Sequence, residues 1–525
     1  MKLTKKRIFL VLLSLMVIGT LAAGGRAQSA AGGVEPKTIS VALSENAVTL
    51  DPHYTTSIPV DCVRDMIWEP LVGYEEKADG SIEYVPRLCT NYSSSADGKV
   101  WTFNLRRGVK FSNGDDFSSL DCAVTFQRLV DNSATLSVGA MYWSGIEKYE
   151  TPDDYTFILY MKEPLATMEI GLARTAIFNG KAFRQYGEDY INRQMMYGTG
   201  PWKFEQWVDG QYVRFSKNDN YWGSFRSYYD EVYIRFVTEE STGIASLLAG
   251  DIRVYGRNGG ITQSSLALFQ GRNDIELKEI MTTSFQYFGL QCRQGSIFND
   301  IRARQAFSLA IDRQLIADTI LPGAVPKSAA WFVTGIFGAD ETMPVLEYNP
   351  ERARQLLRET GYAGQRIMLS SNTGTTLSSE ILLAVSQMLN EVGFNTATEI
   401  VESAALLNMR LEGRYDVFLV NAMPGMNDVG EVLTQRVLQD YHNSNYINER
   451  VNALIAQSNQ EFNRDRRRQQ LTEANRLLTA DWAPQILLNQ IKQTNPFYKG
   501  VTGFNMTSFG QFYYTWITYD PALAR

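Results

Sequence analysis

The chain has 525 residues, of which 44% are hydrophobic and 12% aromatic, so it is long enough to bury large cores in two or three domains. Its formal net charge is −7, which leaves no basic surplus to neutralise phosphates and argues against nucleic-acid binding.

The N-terminal segment, residues 1–27, has the pattern of a signal peptide. Basic residues precede an apolar run at 8–18, which is too short for an ordinary membrane span, and Gly25 and Ala27 suit a signal peptidase. Cleavage would change the formal charge from −7 to −12, because this segment carries five basic and no acidic residues. No cysteine precedes Cys62, so a lipid-anchoring motif is absent. We therefore expect a soluble periplasmic protein; the alternatives are an uncleaved N-terminal anchor and release to the medium.

The first part of the mature chain shows strand patterns. Thr38–Leu43 and residues 99–111 alternate between apolar and polar side chains, as half-buried strands do. The pairs Asp97-Gly98 and Asn113-Gly114 are turn signals on either side of the second segment. A further strand is predicted at Tyr155–Tyr160. This region therefore predicts a β-rich domain.

From about residue 285 to 500 the pattern changes to helices that alternate with strands. Pro350 suits the first turn of a helix after Asn349. Residues 380–392 place apolar side chains on one helical stripe, which Gly393 ends, and Asn395–Val401 follows as a strand. Helix followed by strand, repeated, predicts an α/β lobe.

A polar helix pair is predicted around residues 448–480. Its charge run is interpreted as a solvated face rather than a binding patch. The run consists of Arg464, Arg466, Arg467 and Arg468.

Motifs for catalysis are lacking in the sequence. The two histidines, His53 and His442, have no neighbours at metal-ligand spacing, and there is no G-x-S-x-G elbow or Walker A loop. Adjacent aspartates at 115–116 and 153–154 fit turns better than glycoside hydrolysis. We therefore expect no enzyme activity, no catalytic residues, no cofactor and no metal site.

The cysteines leave two possibilities open. There is no C-x-x-C pair, so a structural zinc site is not expected, but an oxidising compartment would allow one or two disulfides. Alternatively the cysteines in helix-like runs are buried thiols. The four residues are Cys62, Cys89, Cys122 and Cys292.

A family resemblance rests on several motifs in order. Phe298–Arg313 reads FNDIRARQAFSLAIDR, with Asn299 placed to cap a helix. It resembles the f-x-d-x-R-x-R-q-A-x-x-x-A-i-d-r helix of the peptide/nickel-type (family 5) solute-binding proteins of bacterial ABC importers. Other matching segments extend the resemblance from about residue 36 to 520: Leu50–Pro52 (LDP), Trp68–Val72 (WEPLV), Asp97–Gly114, Gly198–Trp202 (GTGPW), Asn218–Trp222 (NDNYW), Leu248–Asp251 (LAGD) and Tyr348–Leu357 (YNPERARQLL).

The resemblance implies a bilobed α/β periplasmic-binding-protein fold (type II, cluster C) with an inserted β-rich domain. Two strand crossings, near residues 283–288 and 495–502, would form a hinge that lets the lobes close over a ligand. The expected boundaries are residues 36–78, 198–284 and 500–525 for lobe 1, 79–197 for the inserted domain and 285–499 for lobe 2.

Two charged clamps of dipeptide-binding relatives are altered in this sequence. Those relatives hold the peptide amine with an Asp in the loop after a Y-D strand, and the carboxylate with an Arg before the helix that corresponds to 380–392. Here the Asp position falls at Met426, although Asp428 could serve if the loop shifts, and the Arg position falls at or beside Asn372. A free dipeptide therefore looks a poor fit, whereas a longer peptide or an oligosaccharide remains open. The predicted ligand-binding residues are Thr55, Thr56, Ser57, Asp61, Trp143, Asn372, Met423, Gly425, Met426 and Asn427.

The sequence thus predicts a monomeric receptor that captures oligopeptides between its lobes and delivers them to an ABC permease and ATPase complex. The alternatives are an oligosaccharide receptor of the same family, a secreted hydrolase, and a peptide-sensing or chaperone-like protein that uses the same pocket.

Overall fold

The computed structural model describes residues 37–55, 57–77, 82–192, 195–321, 323–326, 336–340, 342, 347–372, 375, 377–422 and 428–524. The predicted signal peptide, Thr56, and the loop residues Met423, Gly425, Met426 and Asn427 lie outside these ranges. The chain divides into Met1–Lys37 and a compact unit of Thr38–Arg525, which contains every element named below.

The strands of this unit are β1 (Thr38–Leu43), β2 (Val72–Glu76), β3 (Ile82–Pro86), β4 (Cys89–Ser94), β5 (Val100–Leu105), β6 (Ile146–Asp153), β7 (Thr156–Met161), β8 (Trp202–Val208), β9 (Tyr212–Lys217), β10 (Glu231–Phe236), β11 (Tyr255–Gly256), β12 (Ile275–Leu290), β13 (Val325–Pro326), β14 (Arg366–Asn372), β15 (Asn395–Val401), β16 (Val417–Ala422), β17 (Gln485–Tyr498), β18 (Val501–Thr502), β19 (Asn505–Met506), β20 (Phe512–Tyr513) and β21 (Thr518–Tyr519).

The α-helices are α1 (Ile58–Ile67), α2 (Ser119–Asp131), α3 (Met168–Arg174), α4 (Gly180–Tyr186), α5 (Asp189–Asn192), α6 (Glu240–Ala249), α7 (Gln263–Leu266), α8 (Ile301–Leu309), α9 (Arg313–Thr319), α10 (Pro350–Glu359), α11 (Ser378–Val392), α12 (Ser403–Leu411), α13 (Val429–Leu433), α14 (Glu449–Ser458) and α15 (Arg464–Ala480). One-turn π segments occur at Gly139–Trp143 and Thr434–Leu438.

Two sheets organise the first lobe. A five-stranded sheet has the order β11-β1-β10-β9-β8, in which β1 runs parallel to β10 and β11. A four-stranded antiparallel sheet has the order β4-β5-β7-β6 and packs its apolar face on α2. The strand predicted over residues 99–111 ends earlier, at Leu105, and a turn follows it.

The second lobe is built on a six-stranded sheet with the order β13-β17-β12-β16-β14-β15. Its two long strands, β12 and β17, pair antiparallel from Ile275↔Tyr498 to Gly289↔Gln485, and their register shifts between Met281 and Phe285. Such an irregularity bends a strand locally. The shift borders the predicted crossing at residues 283–288, and Val254 of the first lobe bridges to Phe497 of β17. The predicted domain boundaries remain a prediction.

The helix of the family motif differs from the prediction at its start. Asp300, rather than Asn299, is the N-cap of α8, because its carboxylate accepts from the backbone N–H of Arg302 at 2.8 Å. Asn299 lies in a preceding 3-10 turn. The motif ends at Arg313, whose buried guanidinium donates to the carbonyl oxygen of Leu487 in β17 at 2.9 Å and to the hydroxyl of Ser308 at 2.9 Å. Burial lowers the pKa of Arg313 to about 9.

Other predicted elements agree closely with the structure. Asn349 caps α10 with Pro350 in its first turn, Gly393 follows α11, and β15 spans Asn395–Val401 as predicted. The arginine run is a partial exception. Arg467 is buried and forms a bidentate pair with Asp428 at 2.6 and 2.9 Å, so this residue is not part of a solvated face.

The four cysteines are free, buried thiols. No disulfide joins them, so the second of the two possibilities left open by the sequence is the one observed. Burial raises the pKa of each thiol, to about 11 for Cys89 and Cys292. None of the described helices is both long and apolar enough to cross a bilayer. Across the described ranges, no group of three or more acidic, histidine or cysteine side chains is arranged to hold a metal ion.

Candidate functional site

A cavity of about 990 Å³ lies between the two lobes. The first lobe contributes the residues that follow β1, β10 and β11, where the carboxyl ends of three parallel strands meet. The second lobe contributes side chains of β12, β16 and β17, together with the segments before β13 and α11. Ligands of α/β proteins commonly bind at such strand ends. This inter-lobe cavity is therefore the candidate ligand site.

At one point of the cavity lining, the backbone of the first lobe closely approaches the backbone of the second. Gly260 has φ +77°, and a Cβ there would stand 2.5 Å from the backbone nitrogen of Thr494 in β17. Ile261 donates its N–H to the carbonyl oxygen of Thr494 at 2.9 Å. Only glycine lets the two lobes approach this closely at this position.

Most of the charged side chains in the described lining have an ion-pair partner, either within the lining or just outside it. Lys492 lies 2.7 Å from Glu279, and Arg257 lies 3.1 Å from Glu240. Burial acts to raise the pKa of Glu240, but hydrogen bonds from Ser265 and Thr262 outweigh it and lower the pKa. The lining therefore offers a ligand few uncompensated charges.

A row of side-chain amides crosses three strands of the second lobe at the cavity. Asn489 of β17 donates to Oε1 of Gln286 in β12 at 2.9 Å, and Gln286 donates to Oδ1 of Asn421 in β16 at 3.0 Å. Asn489 is 2% exposed, and its Oδ1 has no hydrogen-bond partner within the described part of the chain. A buried acceptor without a donor is energetically costly. The Oδ1 of Asn489 is therefore available to accept a hydrogen bond from a ligand N–H.

Aromatic side chains are absent from the described lining of this cavity, which consists of Ser44, Glu45, Thr238, Arg257, Asn258, Gly259, Gly260, Ile261, Thr262, Ser264, Leu266, Glu279, Gln286, Thr319, Ile320, Leu321, Gly323, Ala324, Thr375, Leu377, Asn421, Asn489, Ile491, Lys492 and Thr494.

The residues predicted around α1 lie outside that lining. Thr55 and Ser57 are half-buried, and Ser57 occupies the N-cap position of α1 without capping it through its side chain. Its Oγ is buried and, among described residues, has no partner. Asp61 is buried and accepts from Arg64 at 2.6 Å and from Gln511 at 2.5 Å, which commits both of its oxygens. Asp61 thus belongs to a polar cluster of the first lobe.

Trp143 is a core residue. It has no exposed surface, donates from Nε1 to Thr175 Oγ1 at 2.9 Å and packs edge-on against Phe126 at 4.8 Å between ring centroids. A ligand would have no ring face to stack on here, so the prediction of a ligand contact at Trp143 is corrected.

Asn372 is not part of the described cavity lining, but it is hydrogen-bonded to a lining residue. It ends β14, and its Oδ1 accepts from the hydroxyl of Thr375, a lining residue, at 3.0 Å. The predicted contacts Met423, Gly425, Met426 and Asn427 remain predictions, since they lie outside the described ranges. Asp428 caps α13 and pairs with Arg467, so it has no free oxygen for a peptide amine.

The main lining residues were not among the sequence predictions. The signal for Asn489 and Lys492 was the strand QILLNQIKQTNPFY, which carries amides and a lysine at positions that an ordinary buried strand fills with apolar side chains. Arg257 to Thr262 carried the weaker signal of a glycine pair after a strand.

The lobes also contact each other beyond the cavity. Ala166 of the first lobe donates its N–H to the carbonyl oxygen of Asn459 at 3.0 Å. Tyr142 donates to Glu431 of α13 at 3.3 Å. The ring of Phe462 packs 6.5 Å from that of Trp101, between centroids. These contacts join the two lobes at positions outside the cavity lining.

Comparison with known proteins identifies the family. The model of the bacterial extracellular solute-binding proteins, family 5 (middle), matches residues 83–443. The chain therefore belongs to this family of solute-binding proteins, and the bilobed α/β fold predicted from the sequence is confirmed.

Particular relatives extend the comparison. A putative ABC transporter peptide-binding protein of Brucella ovis is 28% identical over 350 residues, which cover 64% of this chain and 63% of the relative. The chain thus spans somewhat less than two thirds of that relative's length. A dipeptide-binding protein of Pseudoalteromonas, solved with Met-Leu, matches with a TM-score of 0.79 at 19% identity and covers 92% of this chain and 100% of the neighbour. The oligopeptide-binding protein AppA of Bacillus subtilis, solved with a nonapeptide, matches with a TM-score of 0.74 at 19% identity, covering 91% of this chain and 99% of the neighbour.

Proposed function

We propose that the protein is the extracytoplasmic receptor of an ABC importer, that it captures oligopeptides in the inter-lobe cavity, and that it delivers them to a membrane permease and ATPase complex. Export through cleavage of residues 1–27, a periplasmic location and a monomeric state belong to this proposal. Family membership supports binding rather than catalysis, and the peptide-binding proteins among its relatives support a peptide ligand.

The observation that supports a peptide ligand is the row of side-chain amides, which ends at Asn489 with an oxygen that lacks a hydrogen-bond donor among the described residues. A peptide backbone presents N–H donors and C=O acceptors in alternation, and the buried Oδ1 of Asn489 needs a donor. The paired lining charges suit recognition of a neutral backbone. The absence of aromatic rings from the described lining disfavours an oligosaccharide, whose sugar faces would call for stacking platforms.

Closure of the lobes is the proposed mechanism of capture. The pair of long strands, β12 and β17, connects the lobes, and the ligand would lie where both lobes supply hydrogen bonds. A ligand shifts the population towards the closed form only as far as it binds that form more tightly. The permease would then recognise the closed form.

Binding tests the proposal directly. Thermal-shift screening of the purified mature protein against peptide and glycan libraries should give stabilisation by peptides, because a ligand that binds the native form raises the melting temperature. Asn489→Leu should weaken peptide binding by roughly tenfold, as expected for the loss of one buried hydrogen-bonding group. Gln291→Leu is the matched control, because Gln291 is an equally buried amide that binds backbone carbonyls outside the cavity lining. Stabilisation by glycans alone, or turnover of a library member, would overturn the proposal.

A further inference from the structure

A small cavity of about 20 Å³ lies in the second lobe, on the face of its sheet opposite the inter-lobe cavity. Tyr287 of β12 lines it, whereas the preceding residue, Gln286, lines the inter-lobe cavity, because successive side chains of a strand point to opposite faces. Its polar lining includes His442 and Arg436, which belongs to the π segment Thr434–Leu438. A space of this size holds about one particle as large as a water molecule.

His442 brings an unsatisfied ring nitrogen to this cavity. It is 9% exposed, its Nε2 lies 3.2 Å from the hydroxyl of Tyr287, and its buried Nδ1 has no partner within the described ranges. When Tyr287 donates to Nε2, the ring proton lies on Nδ1, which becomes a donor without an acceptor. An unpaired buried donor is costly, so a ligand that accepts from Nδ1 would stabilise this arrangement.

The backbone around His442 positions the ring beside the cavity. Asp440, Asn443 and Asn445 have left-handed φ angles of +43°, +48° and +60°. Asp and Asn adopt this conformation more readily than most other residues with a side chain. The carbonyl oxygen of His442 also accepts from the hydroxyl of Tyr415 at 3.0 Å, which ties the loop to the sheet.

Two arginines add positive charge without an acidic partner. The guanidinium of Arg436 lies 4.7 Å from the centroid of the Tyr287 ring, and that of Arg410 lies 5.3 Å from the centroid of Phe418. Neither arginine forms an ion pair in the part of the chain that the structure describes, and the buried Nε of Arg410 has no acceptor there. An aromatic ring attracts a cation but does not cancel its charge.

The acidic residues that neighbour these groups in sequence are bound elsewhere. The carboxylate of Asp440 accepts from the backbone and hydroxyl of Ser444 at 2.8 and 2.7 Å, and from the backbone of Asn445 at 3.0 Å. Glu412 pairs with Arg414. These carboxylates therefore do not balance the positive charge at the cavity.

The electrostatic environment of the cavity is positive. Burial is the main reason that the pKa of His442 falls to about 2, and the charges of Arg436 and Arg410 lower it further. Burial also lowers the pKa of Arg436, Tyr287 opposes this effect, and Arg410 adds to it. An anion in the cavity would reduce the repulsion among these groups and would give Nδ1 of His442 an acceptor.

We propose that this cavity binds one inorganic anion of about the size of chloride, which accepts hydrogen bonds from Nδ1 of His442 and from the guanidinium of Arg436, while Arg410 contributes charge. Hydrogen bonds between a cation and an anion are stronger than those between neutral groups. Sulfate, phosphate and carboxylate groups are too large for a space of this size. The site is separate from the inter-lobe cavity, so this inference does not depend on the proposed function.

A halide titration at constant ionic strength tests the site on the wild-type protein. The purified mature protein is melted in mixtures of sodium chloride and sodium gluconate, and in a second series bromide replaces chloride. Both halides should raise the melting temperature saturably, by about 1–3 °C, because they bind the native form and not the unfolded one. No halide-dependent rise would overturn the proposal.

Single variants assign the rise to this cavity. Arg436→Gln removes the charge, and His442→Phe keeps an aromatic ring but removes Nδ1, so each should abolish the halide-dependent rise. Arg414→Gln is the matched control, because it removes the same charge from the surface pair with Glu412 and should keep the full rise. An equal rise in the wild type and in Arg436→Gln would overturn the proposal, as would loss of the rise in Arg414→Gln.

Crystals grown with sodium bromide locate the ion and decide the matter even if a variant does not fold. Anomalous diffraction should show one bromide within hydrogen-bonding distance of Nδ1 of His442. A water molecule or empty density at that place would overturn the proposal. A bromide there without any halide-dependent rise in melting temperature would show binding at crystal concentration only and would overturn it too.

Discussion

A substitution at Gly98 tests whether the contact between this turn of the first lobe and Phe462 of the second belongs to the ligand-bound form. It lies in the turn before β5, with φ +69°, and its N–H donates to the carbonyl oxygen of Ser95 at 2.9 Å. A Cβ at this position would lie 2.2 Å from two ring atoms of Phe462 in the second lobe. Gly98→Ala should therefore hinder closure.

Two separate costs follow from this substitution. The left-handed backbone disfavours alanine by about 1–2 kcal/mol whether the lobes are open or closed, and it lowers the free energy of unfolding. The clash with Phe462 costs about 1–3 kcal/mol, and only when the lobes touch. Because Phe462 is 40% exposed and its ring can turn outward, we expect the lower part of that range, which corresponds to roughly tenfold weaker peptide binding.

A double-mutant cycle separates the two costs. Peptide affinity is measured by calorimetry and stability by urea unfolding for Gly98→Ala, Phe462→Ala and the double variant. The double variant should bind peptide as Phe462→Ala does and still show the backbone cost. Gly108→Ala is the matched control, since Gly108 has φ +75° and nothing within 4 Å of its Cβ position. An equal affinity loss for Gly98→Ala with and without Phe462 would refute the reasoning.

Three further predictions concern protonation, thiols and charge. Burial lowers the pKa of His53 to about 3, its ring lying between the Ala176 carbonyl oxygen and Arg128, so the unfolded state binds a proton more readily. The free energy of unfolding should therefore decrease by about 1.4 kcal/mol for each pH unit below about pH 6.5 because of this residue. In urea unfolding, His53→Gln should make the free energy of unfolding depend less on pH. Parallel curves for the wild type and the variant would contradict this prediction. The four buried thiols should not react with a disulfide reagent in the native protein, and all four should react after denaturation without a reducing agent. Fewer than four reactive thiols in the denatured protein would reveal a disulfide. Asn372→Arg should strengthen calorimetrically measured binding of peptides with a free carboxylate, because the residue contacts the lining at Thr375; unchanged affinity for every ligand would exclude this role.

Local patterns predicted the fold well where one principle dominated. Pro350 after a capping Asn349, and Gly393 after an apolar stripe, fixed helix ends that the structure reproduces. Asn299 failed as a cap because the neighbouring Asp300 has the geometry to accept from Arg302. Choosing between adjacent capping residues requires the backbone angles, which the sequence does not contain.

The candidate site was harder to predict because its residues come from distant segments. Asn489, Gln286 and Asn421 become neighbours only when β17, β12 and β16 pair, and no short motif encodes that arrangement. Arg467 looked solvated because it sits in a charge run, yet the fold buries it against Asp428. Trp143 was predicted as a ligand contact from its residue type, but packing against Phe126 places its ring in the core.

The amide row has a direction. Asn489 donates a hydrogen bond to Gln286, and Gln286 donates one to Asn421, so reversing the amide of Gln286 would set two oxygens or two NH₂ groups against each other. A guest that offers a donor at Asn489 thus favours one orientation of all three side chains, as far as the third strand of the sheet. Ligand binding at Asn489 would therefore affect the side-chain orientation of Asn421, on the third strand, without any movement of the backbone.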